Sequence, residues 1–414
     1  MRARLRNMER MAEAVPDSDD QSLQNFISNS PWGDCALMRR IAQDADLYIG
    51  NDPDTCLLID ESSFKKSGTK SVGVARQWLG RYGKVDNGQV AVFAALNCRE
   101  KVTLTDTRLF LPKSWTKSKR RMKQAGVPQN RYKHCKKTEL AIEIIEDAQQ
   151  RQSSHNWIGA DALYGNDPWF VRKLDQLNEV FMVDIHENQR IYLNNPEPYI
   201  PERRSKKGPD PSRLKTDITS EKVSVWAKRQ AAAEWTTVTV RDSTTGILSV
   251  DVLHARVWLW DGKEKQANLW HLIVRREGDS KNTYKYSMSN APENTSLERL
   301  AFIQGQRYFI EHTFENAKSA CGMAEYQLRG WAGWHHHMAM VMLVMLFMLK
   351  VQNEYKDTYC DIISCNDIRE LLYHFLPRRA ITKAEVLRQM QVRHRKRRSA
   401  TLSKQKQKLK KLTK

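Results

Sequence analysis

Two short stretches, TCLLID at residues 55–60 and NWIGAD at residues 156–161, decide the reading of the fold. Each is an apolar run of strand length that ends on an aspartate. Downstream of the first, SVGVARQWLG (71–80) and QVAVFAALNC (89–98) predict two further strands, and the turn residues of RYGKVDNG (81–88) make the link a hairpin. TELAIEIIEDAQQRQ (138–152) predicts a helix, NWIGAD the next strand, NDPWFVRKLDQLNEV (166–180) a helix opened by Asp-Pro, and FMVDI (181–185) a fifth strand. Three strands, a helix, a strand, a helix and a strand describe an α/β sheet whose first three strands form a meander.

The flanks are of different texture. Residues 1–50 read as a short helical region with an acidic turn at Asp17-Ser18-Asp19-Asp20 and a Pro-Trp-Gly break at 31–33. Residues 51–186 hold the first part of the α/β core. Residues 187–290 open with the Pro- and Lys-rich NNPEPYIPERRSKKGPDPSR and continue as VSVWAK, TTVTVRD, ARVWLW, NLWHLIVRR and TYKYSMS, which predicts an antiparallel β insertion. Residues 291–350 return to helices and complete the core. Residues 351–414 read as a helical region that runs into a disordered, low-complexity Lys/Gln tail.

Composition sets limits. The chain has 414 residues, 40% hydrophobic and 9% aromatic, which is enough for packed cores and excludes a wholly disordered basic protein. Sixty-eight Lys and Arg stand against 48 Asp and Glu, for a net charge of +20. Two acid-free blocks, Lys113–Lys137 with ten cations and Arg393–Lys414 with eleven, account for that whole excess. Concentrated positive charge suits a polyanion, most often nucleic acid, although such blocks also occur as plain solvated surface. Seven cysteines without a CxxC pair predict reduced thiols in the cytoplasm and no zinc knuckle. No secretory h-region follows the N-terminus, and the longest apolar run, Met338–Leu349, is shorter than a bilayer span and reads as a buried helix. The adjacent His335, His336 and His337 point in three directions on a helix and so read as helix surface and packing, not one metal site.

Asp60 and Asp161 end apolar strands, and the carboxyl edge of an α/β sheet is where catalytic groups collect. Two carboxylates there can share a hard cation, and either can equally cap the following loop or helix. A helix predicted over 294–320 gathers Gln304, Arg307, Glu311 and Lys318 into one polar stripe, opposite Phe302, Phe309 and Ala320. By itself that stripe is also readable as a solvated face with an i,i+4 ion pair.

IDESSFKKSGTKSVGVARQWLGRYGKVDNGQVAVFAAL (59–96), LFLPKSW (109–115), ADALYG (160–165) and RYFIEHTFENAKSACGMAEYQLRGWAGWHHH (307–337) together resemble the bacterial insertion-sequence transposases of the DDE type. The resemblance is to the branch with a Tyr-x2-Arg-x3-Glu-x6-Lys signature and spans roughly residues 20–350. It implies an RNase H-like mixed sheet with flanking helices, interrupted by the β insertion before the last catalytic helix. It implies Asp60, Asp161 and Glu311 as catalytic metal ligands, with Glu61 as the alternative to Asp60. Arg307 and Lys318 fall on the signature Arg and Lys, whereas Gln304 replaces the signature Tyr.

What the resemblance further implies is two Mg²⁺ or Mn²⁺ ions, metal-dependent cleavage of double-stranded DNA at terminal inverted repeats, and attack of the freed 3′-OH on target DNA. A homodimer formed on DNA, at the bacterial nucleoid and away from membranes, belongs to the same expectation. A hairpin route of cleavage requires an aromatic ring to hold an unstacked base, and Trp258 or Trp260 in the insertion are candidates, although VWLW equally reads as sheet core. Lys119, Arg120 and Arg121 of the first basic block, together with Arg329 in QLRGW, are expected phosphate contacts, and the 393–414 tail a salt-sensitive one. Fifty-nine residues precede Asp60. They read as a shortened recognition part, which leaves open a truncated or catalytically impaired DNA-binding derivative. An RNase H-like nuclease acting on RNA is a remoter alternative, against which the large insertion argues.

Overall fold

The computed structural model describes residues 8–202, 211–243, 246–276, 283–356 and 363–412. Three helices come first, α1 (Met8–Ala14), α2 (Asp20–Ser28) and α3 (Asp34–Ile49). A meander follows: β1 (Cys56–Lys65), β2 (Ala75–Leu79), β3 (Lys84–Cys98) and β4 (Lys101–Leu109). The next segment holds α4 (Lys113–Thr116), α5 (Lys119–Gln124), α6 (Lys137–Gln150), β5 (Trp157–Ala160), α7 (Ala162–Gly165), α8 (Pro168–Gln176) and β6 (Phe181–Ile185). The insertion contributes β7 (Arg190–Ile191), β8 (Glu221–Lys222), α9 (Val223–Arg229), β9 (Thr236–Ser243), β10 (Gly246–Leu259), β11 (Asn268–Arg276) and β12 (Tyr284–Ser289). The chain ends with α10 (Leu297–Gln306), α11 (Tyr308–Ser319), α12 (Trp331–Lys356), α13 (Cys365–Phe375) and α14 (Lys383–Leu412).

Ten described strands form one mixed sheet in the order β2-β3-β1-β5-β6-β12-β11-β10-β9, with β4 also on β3. β1, β5 and β6 are parallel to one another, and all other pairings of the sheet are antiparallel. This is the RNase H-like α/β arrangement, with helices packed on its faces. Continuous burial of β1, β5 and most of β6 follows from their central place, since helix-covered parallel strands lack a solvent face. α12, although long and apolar enough to cross a bilayer, buries most of its apolar window in the protein.

Several expectations are corrected. β1 runs on to Lys65, because antiparallel pairing with β3 continues after the parallel pairing with β5 stops at Ile59. Asp60 therefore lies in mid-strand. A fourth strand, β4, is missed in KVTLTDTRL because of its many polar residues, while only Ala75–Leu79 of SVGVARQWLG is strand, at the sheet edge. VSVWAK forms α9 instead of a strand, and its Val223, Trp226 and Ala227 are buried at helical spacing. The helix expected over 294–320 is two helices that meet at Arg307. The expected disordered tail is helical to Leu412, and Lys396 reaches Glu9 and Asp20 while Arg393 reaches Glu13, so the acids of α1 and α2 neutralise its first turns. The β insertion extends the core sheet directly, since β12 pairs with β6.

The histidines are interior: His335 and His336 are buried, and His336 spans the Ile27 and Trp32 carbonyls and stacks on Trp32 at 3.8 Å. Cys35, Cys56, Cys98, Cys135, Cys321 and Cys365 are free, and Cys360 lies outside the described residues.

Close approach of α7 to β6 depends on one glycine. A Cβ at Gly165 would sit 2.0 Å from the Asp184 carbonyl oxygen, whereas at Gly68 it would meet nothing within 4 Å. Gly165→Ala is expected to lower the free energy of denaturant unfolding by about 3 kcal/mol. Gly68→Ala is expected to change it by less than about 0.5 kcal/mol.

Candidate active site

Parallel pairing carries Ile59, Ala160 and Val183 into one register across β1, β5 and β6. The next residue on each strand is Asp60, Asp161 or Asp184. Neighbouring strands lie about 4.8 Å apart, so residues far apart in sequence bring three carboxylates into one row. Asp161 also caps α7, its Oδ1 accepting the Leu163 N–H at 3.0 Å, while the Asp60 carboxylate accepts the Glu61 N–H at 2.6 Å.

Arg307 joins this row to the helices. It stands at the break between α10 and α11, and its guanidinium reaches Asp184 (Nε–Oδ2 2.6 Å), Glu311 (Nη2–Oε1 2.9 Å) and Asp60 (Nη1–Oδ2 3.8 Å). Asp184 is held in turn by Ser287 of β12, whose hydroxyl donates to its Oδ1 at 2.7 Å, and Gln304 Nε2 donates to that hydroxyl at 2.8 Å. Gln304 is thus buried against the insertion and leaves the polar stripe expected of it. Sequence reasoning missed Asp184. The signal was available: FMVDI repeats the apolar-run-then-acid pattern of the other two strands.

Like charges held together in the interior resist ionisation. Burial first, then the charge of Asp161, pushes the Asp60 carboxyl up to about 8, against the pull of Arg307. Burial also raises Asp161; Arg307 opposes this, and the charges of Glu61 and Asp184 add to it. Arg307 stays protonated among so many acids. Glu61, the alternative to Asp60, is occupied by Lys137 at 2.7 Å. The buried Tyr164 hydroxyl, whose ionisation is opposed by the charges of Glu61, Asp161 and Asp60, makes no hydrogen bond.

The other predicted residues spread around this centre. Lys318 is half-buried, its ammonium 5.9 Å from the Phe64 ring centroid, and burial lowers it to about 8. Lys119, Arg120 and Arg329 are exposed. Arg121 stacks on Trp115 at 3.7 Å and donates to the Thr69 carbonyl at 2.7 Å. Trp260 lines a cavity of about 110 Å³ with Gly165, Asn166 and Arg172, beside the helix that Asp161 caps. Trp258, by contrast, exchanges backbone hydrogen bonds with Tyr192.

Oxygen donors with uncompensated negative charge fit a hard divalent cation, and the unpartnered Tyr164 hydroxyl marks polar room beside them. As arranged here, however, no group of three or more His, Cys, Asp or Glu among the described residues is close enough to hold a metal ion, and Glu311 is paired with Arg307.

A family profile described as DDE superfamily endonuclease matches residues 1–247, a span that includes Asp60 and Asp161 and ends before Glu311. A relative from Microchaete diplosiphon, described as a probable transposase for insertion sequence element IS701, is 27% identical over 320 residues, which is 77% of this chain and 71% of that protein. The chain, with its carboxylate row where the parallel pairing stops, belongs to the DDE superfamily endonucleases.

Proposed function

We propose that the chain is an insertion-sequence transposase that cuts double-stranded DNA at its element's terminal inverted repeats and joins the freed 3′-OH to target DNA. It does so as a homodimer on DNA, in the cytoplasm at the nucleoid. One observation carries the reading: Asp60 and Asp161 stand side by side where the parallel pairing of the central strands stops, with Glu311 across Arg307 from them. The family's endonuclease description and the relative's transposase name support it.

Asp60, Asp161 and Glu311 are the residues that would hold two Mg²⁺ or Mn²⁺ ions, which when bound align the attacking oxygen and stabilise the leaving one. Asp60, beside Asp161 in the row and 3.8 Å from the Arg307 guanidinium, is suited to the shared position. Glu311, with a side chain 55% exposed, is free to exchange Arg307 for a cation. Arg307 then keeps Asp184 through Nε and offers its Nη atoms to a phosphate in a planar fork. Lys318 adds a point charge on the same side. Lys119, Arg120 and Arg329 bind phosphates along the duplex, Arg121 being held by Trp115 and the Thr69 carbonyl, and Trp258 or Trp260 receives an unstacked base.

A second reading, binding without cutting, is favoured by the engagement of Glu311 with Arg307. One assay separates the two. With labelled element-end DNA and Mg²⁺, the wild type is expected to nick the substrate. Asp161→Ala is expected to lose at least about a thousandfold in rate while retaining DNA affinity. A mobility shift with no nicking by the wild type would leave only the binding reading.

Asp60 supplies a pH test. Its folded value of about 8 lies above the ordinary 3.8, so across this window the folded state keeps a proton that the unfolded state has lost. Stability in chelator therefore falls as pH rises from about 4 to about 8. Asp60→Asn is expected to be more stable than wild type at pH 8, on the order of a few kcal/mol, with the gap shrinking toward pH 5. Denaturant melts at the two pH values measure it, and a constant gap contradicts the burial of a strained acid.

A further inference from the structure

The hairpin of β2 and β3 lies beyond the carboxylate row and takes no part in it. The hairpin is firmly built. Leu79 is fully buried, Gln77 Nε2 donates to the Gly88 carbonyl at 2.7 Å, and Gly83, at φ 57°, closes the turn by donating to the Gly80 carbonyl at 3.0 Å. The outer part is unlike a solvated turn. Trp78 is 53% exposed and Tyr82 43% exposed, and Arg76, Arg81 and Lys84 are exposed around them. Burying an aromatic ring contributes about 2 kcal/mol to folding, so a Trp held in solvent on a rigid strand is of no use to the fold. Between Ser62 and Val90 the chain carries six cations and one acid, Asp86, which Lys65 already pairs at 2.9 Å.

Position gives this patch its meaning. Across β3, Asp60 faces Phe93, Lys65 faces Gly88 and Trp78 faces Val85. The eight residues from Phe93 to Val85 span about 26 Å, a length of about eight base pairs. Lys318, its ammonium 5.9 Å from the ring of Phe64 on the Asp60 face of β1, feels the charges of both Arg81 and Asp60. On the other flank, Arg121 of α5 is tied to Thr69, and Trp115 Nε1 donates to the Val74 carbonyl at 2.8 Å, which fastens the basic block to the hairpin's base.

We propose that the β2–β3 hairpin, residues 75–88, grips duplex DNA about eight base pairs from the bond held at the carboxylate row, with Trp78 and Tyr82 against sugars and base edges and Arg76, Arg81 and Lys84 on phosphates. The proposal rests on the DNA-cutting reading of that row. The occupant is DNA because the exposed rings sit among the exposed Arg76, Arg81 and Lys84, in a segment whose one acid is already paired. A second copy of this chain would bring its own cations to face these.

The test uses the full-length protein and two sets of labelled duplexes. In one, DNA extends about twenty base pairs to either side of the cleavage site; in the other, about four, too few to reach Trp78. Trp78→Ala is expected to weaken binding of the long duplex about tenfold or more and to leave affinity for the short one alike in both proteins. Trp78→Tyr is expected to restore most of the loss, and Arg81→Ala to reduce the salt slope on the long duplex alone. Hydroxyl-radical protection about eight base pairs from the cut should vanish in Trp78→Ala. Equal affinities of wild type and Trp78→Ala for the long duplex overturn the proposal and leave the cutting reading intact. So does a loss of self-association in sedimentation without a change in DNA affinity, which assigns the patch to a second copy. Failure of the wild type to bind either duplex overturns both.

Discussion

Parallel register between three strands places Asp60, Asp161 and Asp184 side by side, and one guanidinium answers them. Adjacent carboxylates in a buried setting work against folding, as the upward displacement of Asp60 and Asp161 records. Arg307 is what makes the arrangement tolerable. Its position requires the helix to break there, so that α10 lies along the insertion side of the sheet while α11 lies against β1 and β4. Gly305 allows the first of these contacts, since a Cβ there would come within 2.4 Å of Val240.

The insertion is therefore part of the site's construction. By pairing with β6, β12 places Ser287 directly opposite Asp184, and their hydrogen bond joins the inserted strands to the carboxylate row. Gln304 completes the link from α10. A tyrosine at this position would carry its hydroxyl farther than an amide reaches. Gln304, where the resembled signature has Tyr, serves this buried connection in place of a surface contact. Asp184, which belongs to no signature triad, holds Arg307 through Nε while a separate nitrogen pairs with Glu311.

Positive charge, so prominent in the composition, is divided by the tertiary structure. The C-terminal block spends part of its charge on the acids of α1 and α2. Arg121 in the central block is spent on packing against Trp115. Lys119, Arg120 and Arg329 remain open to solvent beside the cationic hairpin. Net charge alone does not distinguish these fates, because a cation's usefulness depends on whether a carboxylate lies within a few ångströms.

By itself, the sequence determined the α/β class, the order of most elements and the identity of Asp60, Asp161, Arg307 and Glu311 as residues of interest, because apolar periodicity and strand-end acids are local signals. It concealed β4, whose buried threonines alternate like a polar strand, and it disguised α9, whose β-branched residues read as a strand until Trp226 and Ala227 find the core. It also gave no account of Asp184, since one acid in FMVDI acquires meaning only when β6 is set in register beside β5. Strand register, the break at Arg307 and the reach of the β2–β3 hairpin are non-local: each depends on which backbone groups pair across the sheet, and only the folded chain decides that.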